Sequence, residues 1–417
     1  MIGAGVTGLA IGSVSGVPIF EQSDGPGGIC RSYYLVPGAE DPLDHAPPGQ
    51  EAYRFEVGGG HWIFGGDPVT ISWLEGQVDF RVHERRAVVR LGSLGLTVPY
   101  PLQAHAEAIG AELAQAVKSE IAGYGEGIDG ITTLQDWLRV SFGATLCELF
   151  FFPFHDRYTA GMSRSIAPQD DYKSPAAGGR GYNSTFRYPI CGLDGLAARL
   201  AERCDIRYGK RLVGIDSDSR VLLFADGSES GYDQLLSTLP LHQASAMAAV
   251  DTEEPPDPYT SVLVLNIGAE RGPACPDAHW QYEPDSSSGF HRIGFYSNVD
   301  PDFLPAGCRN GSHVSMYVER AFIGGQSPSP VEIHGYIESV IDELQTREYI
   351  GRAEVVDPSW VEVAYTWRSP GSRWRERALQ ALTATGIQQV GRYGRWHFQG
   401  IADSIRDGLQ AGEALQT

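Results

Sequence analysis

The sequence predicts an α/β fold: an open parallel sheet flanked by helices, interrupted by a helical subdomain and by an antiparallel β-sheet. Three observations predict it. Residues 2–8 read Ile-Gly-Ala-Gly-Val-Thr-Gly and match G-x-G-x-x-G at a strand-to-helix turn, the mark of a Rossmann-like unit. Residues 104–165 lack strand alternation and carry helical spacing, as in Leu134, Trp137, Leu138 and Phe142. Residues 258–320 are rich in strand formers.

The elements follow in chain order. A helix leaves the first glycine turn, and a second strand, Val17–Glu21, ends on an acid. Only Met1 and Ile2 precede the turn, and Glu21 arrives sooner than the usual spacing of about 20 residues. The expectation is that the natural start lies upstream; a chain beginning here needs a very short first strand. Residues 24–32 are a glycine-rich loop, and 35–52, rich in Pro, Gly and acids, read as an exposed insertion. Strands are expected at 53–57 and 85–91. After the helical stretch, residues 193–245 combine a helix (Leu196–Arg203), a β-meander turning at Asp226-Gly227 and a strand (Gln234–Thr238). An amphipathic helix at 330–346, a strand at 361–367 and a helical tail at 403–416 complete the chain. The expected division is a discontinuous nucleotide-binding domain (1–65, 193–250 and 380–417), a mostly helical substrate or flap subdomain (66–185) and a β-sheet substrate subdomain (251–379).

Composition bounds the function. Apolar residues make up 42% and charged residues 20%, ordinary for a globular protein. No run approaches the roughly 20 apolar residues of a membrane helix, and no basic region precedes an apolar stretch at the N-terminus. The formal net charge of −20 argues against nonspecific nucleic-acid or anionic-membrane binding. It does not argue against a phosphate-bearing substrate held by a few Arg or Lys inside a cleft. The six cysteines form no C-x-x-C pair, so neither a zinc site nor a disulfide framework is expected, and a reducing cytoplasm fits.

The candidate site begins at the glycine turn. Gly3, Gly5 and Gly8, with Thr7, let backbone N–H groups approach a pyrophosphate at a helix N-terminus. Glu21 is placed to accept from ribose hydroxyls. Next comes Gly27-Gly28-Ile29-Cys30-Arg31-Ser32. The pattern E-x(5)-GG-x-x-RS resembles the amine-oxidase and protoporphyrinogen-oxidase superfamily of flavoproteins. The resemblance implies FAD, with Gly28, Arg31 and Ser32 along it. Gly391-Arg392-Tyr393-Gly394 resembles the superfamily's C-terminal turn, which returns to the flavin. It adds Gly391, Arg392 and Ser404, at the start of the last helix, to the cofactor set.

A narrower resemblance runs along nearly the whole chain, to the UDP-galactopyranose mutases, particularly the eukaryotic type. Five stretches carry it, in order: residues 59–64 (GGHWIF), 98–103 (VPYPLQ), 181–189 (GYNSTFRYP), 290–298 (FHRIGFYSN) and 391–396 (GRYGRW). The resemblance implies interconversion of six- and five-membered ring forms of a nucleotide sugar, with the N5 of reduced FAD as nucleophile on the anomeric carbon and no net redox. NAD(P)H is a candidate reductant. It places His61 and Gly60 beside flavin N5 and Arg292 on the substrate diphosphate. Tyr100 and Gln103, with Phe150, His155 and Tyr158, would meet the nucleobase. Lys173 falls on a flap, Asn183 near the sugar or diphosphate, and Trp280 and Tyr282 in the same sheet.

The chain also departs from that family. Its tyrosine hydroxyls on the diphosphate are missing at Phe398, at Val299 and in Ser369-Pro370-Gly371-Ser372. Each absent hydroxyl costs about 0.5–1.5 kcal/mol of net binding, so a substrate other than UDP-galactose is expected. An FAD-dependent oxidase or desaturase acting on a small metabolite is the alternative. A flavin-bound partner subunit without catalysis is a third, and the oligomeric state stays open.

Overall fold

The computed structural model describes residues 1–39, 41–122, 130–168 and 183–416. One part is a five-position parallel sheet in the order Ile206–Arg207, Ile19–Phe20, Ile2, Leu235–Ser237, Ile387–Gln389. Chain order across it runs third, second, first, fourth, fifth, the doubly-wound arrangement. The first strand is reduced to its minimum. Ile2 N donates to Leu236 O (3.0 Å) and Gly3 N to Phe20 O (2.9 Å), while Thr238 N donates to Ile2 O (3.1 Å). These few bonds register the turn between both neighbours.

Two helices stack on this sheet. Val6–Ser15 leaves the glycine turn, and Ile401–Ala414 returns from the C-terminal end. They touch backbone to backbone, because a Cβ at Gly408 would lie 2.4 Å from Thr7 O and one at Gly412 2.8 Å from Ile11 O. Small residues on one face of the last helix thus bring both helix N-termini to the same place.

The second layer is a seven-stranded sheet: Ile350–Thr366, Tyr259–Arg271, His313–Ile323, Arg292–Phe295, Trp280–Tyr282, Ala87–Leu91, Leu96–Pro99. All neighbours are antiparallel except Trp280–Tyr282 with Ala87–Leu91. Alternation along Tyr259–Arg271 divides two cores. Leu263, Leu265 and Ile267 pack with Tyr336, Val340 and Leu344 of the helix Pro330–Thr346, whose start carries a Ser329–Glu332 capping box. Val262 and Val264 face the cofactor side with Leu9 and Ile405.

The helices Ala111–Ala122, Leu134–Leu146 and Phe152–Tyr158 pack under the strand pair at 87–99. A π-helical turn, Cys147–Phe151, joins the last two. It stacks Phe150 on Phe154 (5.1 Å) and Phe154 on Tyr158 (5.5 Å), with Trp367 edge-on to Tyr158 (5.4 Å). No described helix is long and apolar enough to cross a membrane.

Several elements were not legible in advance. The expected 35–52 insertion is partly strand at its start, since Ser32–Leu35 pairs with Tyr53–Glu56. Helices Pro68–Glu75, Leu241–Met247 and Trp374–Ala384 and the strand Phe80–Glu84 carry weak periodicity and were not anticipated. The strand expected at 361–367 is the end of a 17-residue strand.

Candidate active site

A cavity of about 1010 Å³ lies where the parallel sheet, the seven-stranded sheet and the helical layer meet. One end is made of glycine turns. Gly3 has φ +94°, and a Cβ there would sit 2.2 Å from Thr238 Oγ1; at Gly8 it would sit 2.0 Å from Gly3 O. Gly5 is different: its Cβ would meet nothing within 4 Å, so the backbone faces open cavity. Gly5 also starts the helix Val6–Ser15, with no side-chain cap and no acid in the first turn. Gly391, at φ +76°, presses against Thr7 Oγ1, and Gly28, at φ +61°, against Gly5 Cα. Gly400 starts the last helix, likewise without a side-chain cap, and Ser404 is on the wall. Two uncapped helix N-termini and three glycine turns on one wall suit a dinucleotide pyrophosphate. Glu21 lines this end, with Oε2 accepting from Ala4 N (2.7 Å) and Oε1 from Ser23 N (2.9 Å). Its carboxylate therefore ties the turn together as well as facing the cavity.

The middle of the cavity carries His61. Its Nδ1 is 3.0 Å from Gly59 O, and a carbonyl only accepts, so Nδ1 holds the proton and Nε2 is bare. Burial pulls its pKa down to about 4, so the ring is neutral at ordinary pH. Gly60 is required by packing: a Cβ would lie 2.1 Å from Tyr317 Oη.

Facing this turn is a bidentate ion pair. Arg292 Nε donates to Glu319 Oε2 (2.9 Å) and Nη2 to Oε1 (2.5 Å), which leaves Nη1 as the end without a partner among the described residues. Burial opposes the charge on Glu319, yet the Arg292 guanidinium and His291 hold its carboxyl down at about 2. Arg392 is fixed by backbone, donating to Gln399 O (3.1 Å) and Ala364 O (2.8 Å) over the Phe398 ring.

The far end is aromatic. Tyr100, Phe150, His155, Tyr158, Trp280 and Tyr282 all line it, as does Asn183. Sequence reading missed three contributors. Arg85 donates to Tyr282 Oη (3.3 Å) and sits over the Trp280 ring at 4.9 Å. Glu319 gives no local signal at all, because its partner is across the sheet. Tyr365 supplies a wall hydroxyl four residues before the segment 369–372 where one was sought, with burial raising its pKa to about 12.

Four expected residues do not reach the wall. Gly8 lies beneath the turn. Arg31 is drawn off by Asp24 (3.2 Å) and Asp44 (2.5 Å). Ser32 turns its hydroxyl to Glu56. The Gln103 carboxamide is sealed in protein without a partner among the described residues. Lys173, with Gly181 and Tyr182, lies outside the described residues. Of the positions lacking a family tyrosine, Phe398 is on the wall and Val299 is buried away from it.

A family model described as flavin containing amine oxidoreductase matches residues 114–415, more than two thirds of the chain. The chain belongs to this family. Membership implies FAD, and the glycine end of the cavity fits it. No curated protein matches the chain. Among solved structures, a reduced UDP-galactopyranose mutase is similar with a TM-score of 0.80 at 20% identity, covering 100% of this chain and 93% of that one. A putative protoporphyrinogen oxidase from Exiguobacterium sp. 255-15 follows with 0.68 at 15% identity, covering 100% and 97%. Wild-type putrescine oxidase bound to putrescine gives 0.62 at 13% identity, covering 100% and 98%. At these identities the likeness is one of fold, and it bears out the α/β architecture and the amine-oxidase-type resemblance.

Proposed function

We propose that this FAD-dependent enzyme is a nucleotide-sugar pyranose/furanose mutase whose sugar and nucleotide differ from UDP-galactose. One observation carries the reading: a neutral His61 with a bare Nε2 and an arginine oriented by Glu319 share one cavity with the flavin turns. Reduced FAD supplies, when bound, a nucleophile for an anomeric carbon. The chain's residues then position and stabilise charge. His61 Nε2 can accept a hydrogen bond from a proton-bearing neighbour while the ring stays uncharged. Arg292 Nη1 offers two N–H donors to a departing phosphate, with Glu319 fixing the fork. Trp280, Tyr282 and Phe154 give the wall opposite the glycine turns an aromatic face against which a sugar ring can pack. The fold likeness to reduced UDP-galactopyranose mutase supports this reading.

The test is to reduce the enzyme with dithionite, add a panel of nucleotide sugars and follow products by NMR. A product isomeric with its substrate is expected. Stoichiometric hydrogen peroxide with no isomer would sink the proposal.

A second reading, an oxidase of a small amine or similar metabolite, is favoured by a different observation. Tyr365 and Phe398 stand nearly parallel on the wall, with ring centroids 6.4 Å apart, an aromatic pair that suits the flanks of a small cationic amine. Arg292→Ala separates the two. Under the mutase reading it removes a charge-assisted hydrogen bond of about 1.5–3 kcal/mol, roughly a 10- to 150-fold loss of nucleotide-sugar affinity. Under the oxidase reading the KM for an amine barely moves.

A further inference from the structure

A sealed cluster of ionisable groups lies behind the cofactor loop, and the proposed chemistry does not use it. Glu56, on the strand Tyr53–Glu56, is 0% exposed. Its carboxylate accepts from Ser32 Oγ at 3.2 and 3.1 Å and from the Tyr188 hydroxyl. Ser32 Oγ accepts in turn from the Asp194 amide, in the first turn of the helix Gly192–Ala201 (3.4 Å). Ser32 ends the GG-x-x-R-S loop, whose Gly28 and Cys30 are on the cavity wall. One hydroxyl therefore joins the buried carboxyl, the cofactor loop and a helix.

The surroundings are short of positive charge. Arg54, two residues away on the same strand, makes no hydrogen bond to Glu56; its Nε and Nη2 have no hydrogen-bond partner among the described residues. Its nearest carboxylate is Asp300, at 4.0 Å, which Arg81 also approaches at 3.3 Å. Asp194 Oδ2 accepts from Tyr34 (3.0 Å), and Oδ1 has no partner among the described residues. On the remaining sides stand Tyr33, donating to Asp357, Tyr296, donating to Asn266, and the buried Cys30 thiol. Three carboxyls, Glu56, Asp194 and Asp300, thus share one buried guanidinium. Burying unpaired carboxylates is costly, so such a set retains a proton. Glu56 is the fully buried member and has no ion-pair contact within 4 Å among the described residues; burial outweighs the attraction of Arg54 and raises its pKa to about 7.

We propose that Glu56 is a proton switch for the cofactor loop, coupling FAD binding to pH through Ser32. Ionised, the carboxylate accepts from Ser32. Neutral, it carries an O–H that needs an acceptor, and Ser32 Oγ is beside it, so the hydrogen bond reverses and the loop's anchor changes. The FAD phosphates add negative charge on the wall side of the same loop. They make the Glu56 proton harder to lose, and by linkage FAD binding takes up a proton from solvent.

The experiment titrates FAD into flavin-stripped protein by calorimetry from about pH 6 to 9, in buffers of different ionisation enthalpy. The expected result is net proton uptake near neutrality, with Kd rising by up to tenfold per pH unit above about pH 7. Glu56→Gln should show no such uptake and a flat Kd. Ser32→Ala keeps the carboxyl but removes the hydrogen-bonded link, and should reduce the coupling to the part that the phosphate charge exerts through space. It also serves where Glu56→Gln fails to fold. Zero uptake in the wild type, the same uptake in Glu56→Gln, or full coupling in Ser32→Ala overturns the proposal. Because the readout is FAD binding, it stands or falls separately from the identity of the reaction.

Discussion

At the scale of single residues, the site is shaped by side chains that leave no room for change. Tyr317 is boxed between two glycines: a Cβ at Gly60 would lie 2.1 Å from its Oη, and one at Gly294 1.9 Å from its Cζ. Gly60→Ala should therefore destabilise by about 1–3 kcal/mol through overpacking and displace His61. Thermal melting and flavin absorbance per mole of protein check both. Adding Tyr317→Phe should rescue only part of the loss, since Cζ remains 2.5 Å from the new methyl. Full rescue would mean that the hydroxyl alone is the obstacle. Glu319 belongs to the same scale. Its site signal was absent from the sequence because a carboxylate on one strand acquires meaning only from the guanidinium registered opposite it, Arg292↔Glu319.

At the scale of elements, the cofactor end depends on how two helices approach. Val6–Ser15 and Ile401–Ala414 meet at Gly408 and Gly412, and their N-termini point at the same wall. Gly408→Val should separate them, because the new side chain begins 2.4 Å from Thr7 O. The expected outcome is faster FAD release, read as the fraction of apoprotein after dialysis, with the seven-stranded sheet unaffected by circular dichroism. Unchanged retention would show that the helix contact does not set the flavin site. The elements themselves were legible to different degrees. The helix at 330–346 announces itself by its amphipathic period, and the structure adds the capping box at its start. The strand Ser32–Leu35 does not, because its partner and its burial on both faces come from tertiary contact.

At the scale of the molecule, two buried carboxyls give opposite pH dependences. Glu319, held at about 2, contributes stability that is present above its usual 4.5 and is lost as pH falls through about 2. Glu56, raised to about 7, contributes stability that is complete below 4.5 and is lost as pH rises through about 7. Buried His61 and His279, held neutral at about 4 and about 3, cost stability as pH falls below 6.5, so the Glu56 contribution is read as the melting-temperature difference between wild type and Glu56→Gln apoprotein, which should shift against the wild type from pH 5 to pH 8. Glu56→Gln should flatten the neutral side and leave the acid side alone. A neutral-side slope that survives in Glu56→Gln would assign it to another group.

The glycine turns were legible from sequence because positive φ and close backbone approach admit few other residues. Gly3, Gly5, Gly28 and Gly391 all meet at one end of the cavity, as their spacing led one to expect. Periodicity likewise revealed the helical stretch and the strand-rich region. Tertiary structure alone decided which polar side chains face the cavity. Arg31 turns to two acids and Ser32 to Glu56, while Arg85 and Tyr365 turn inward. The physical reason is that a glycine requirement is local to the backbone. A polar side chain's direction is set by partners that only the fold brings beside it, and burial makes those partners decisive.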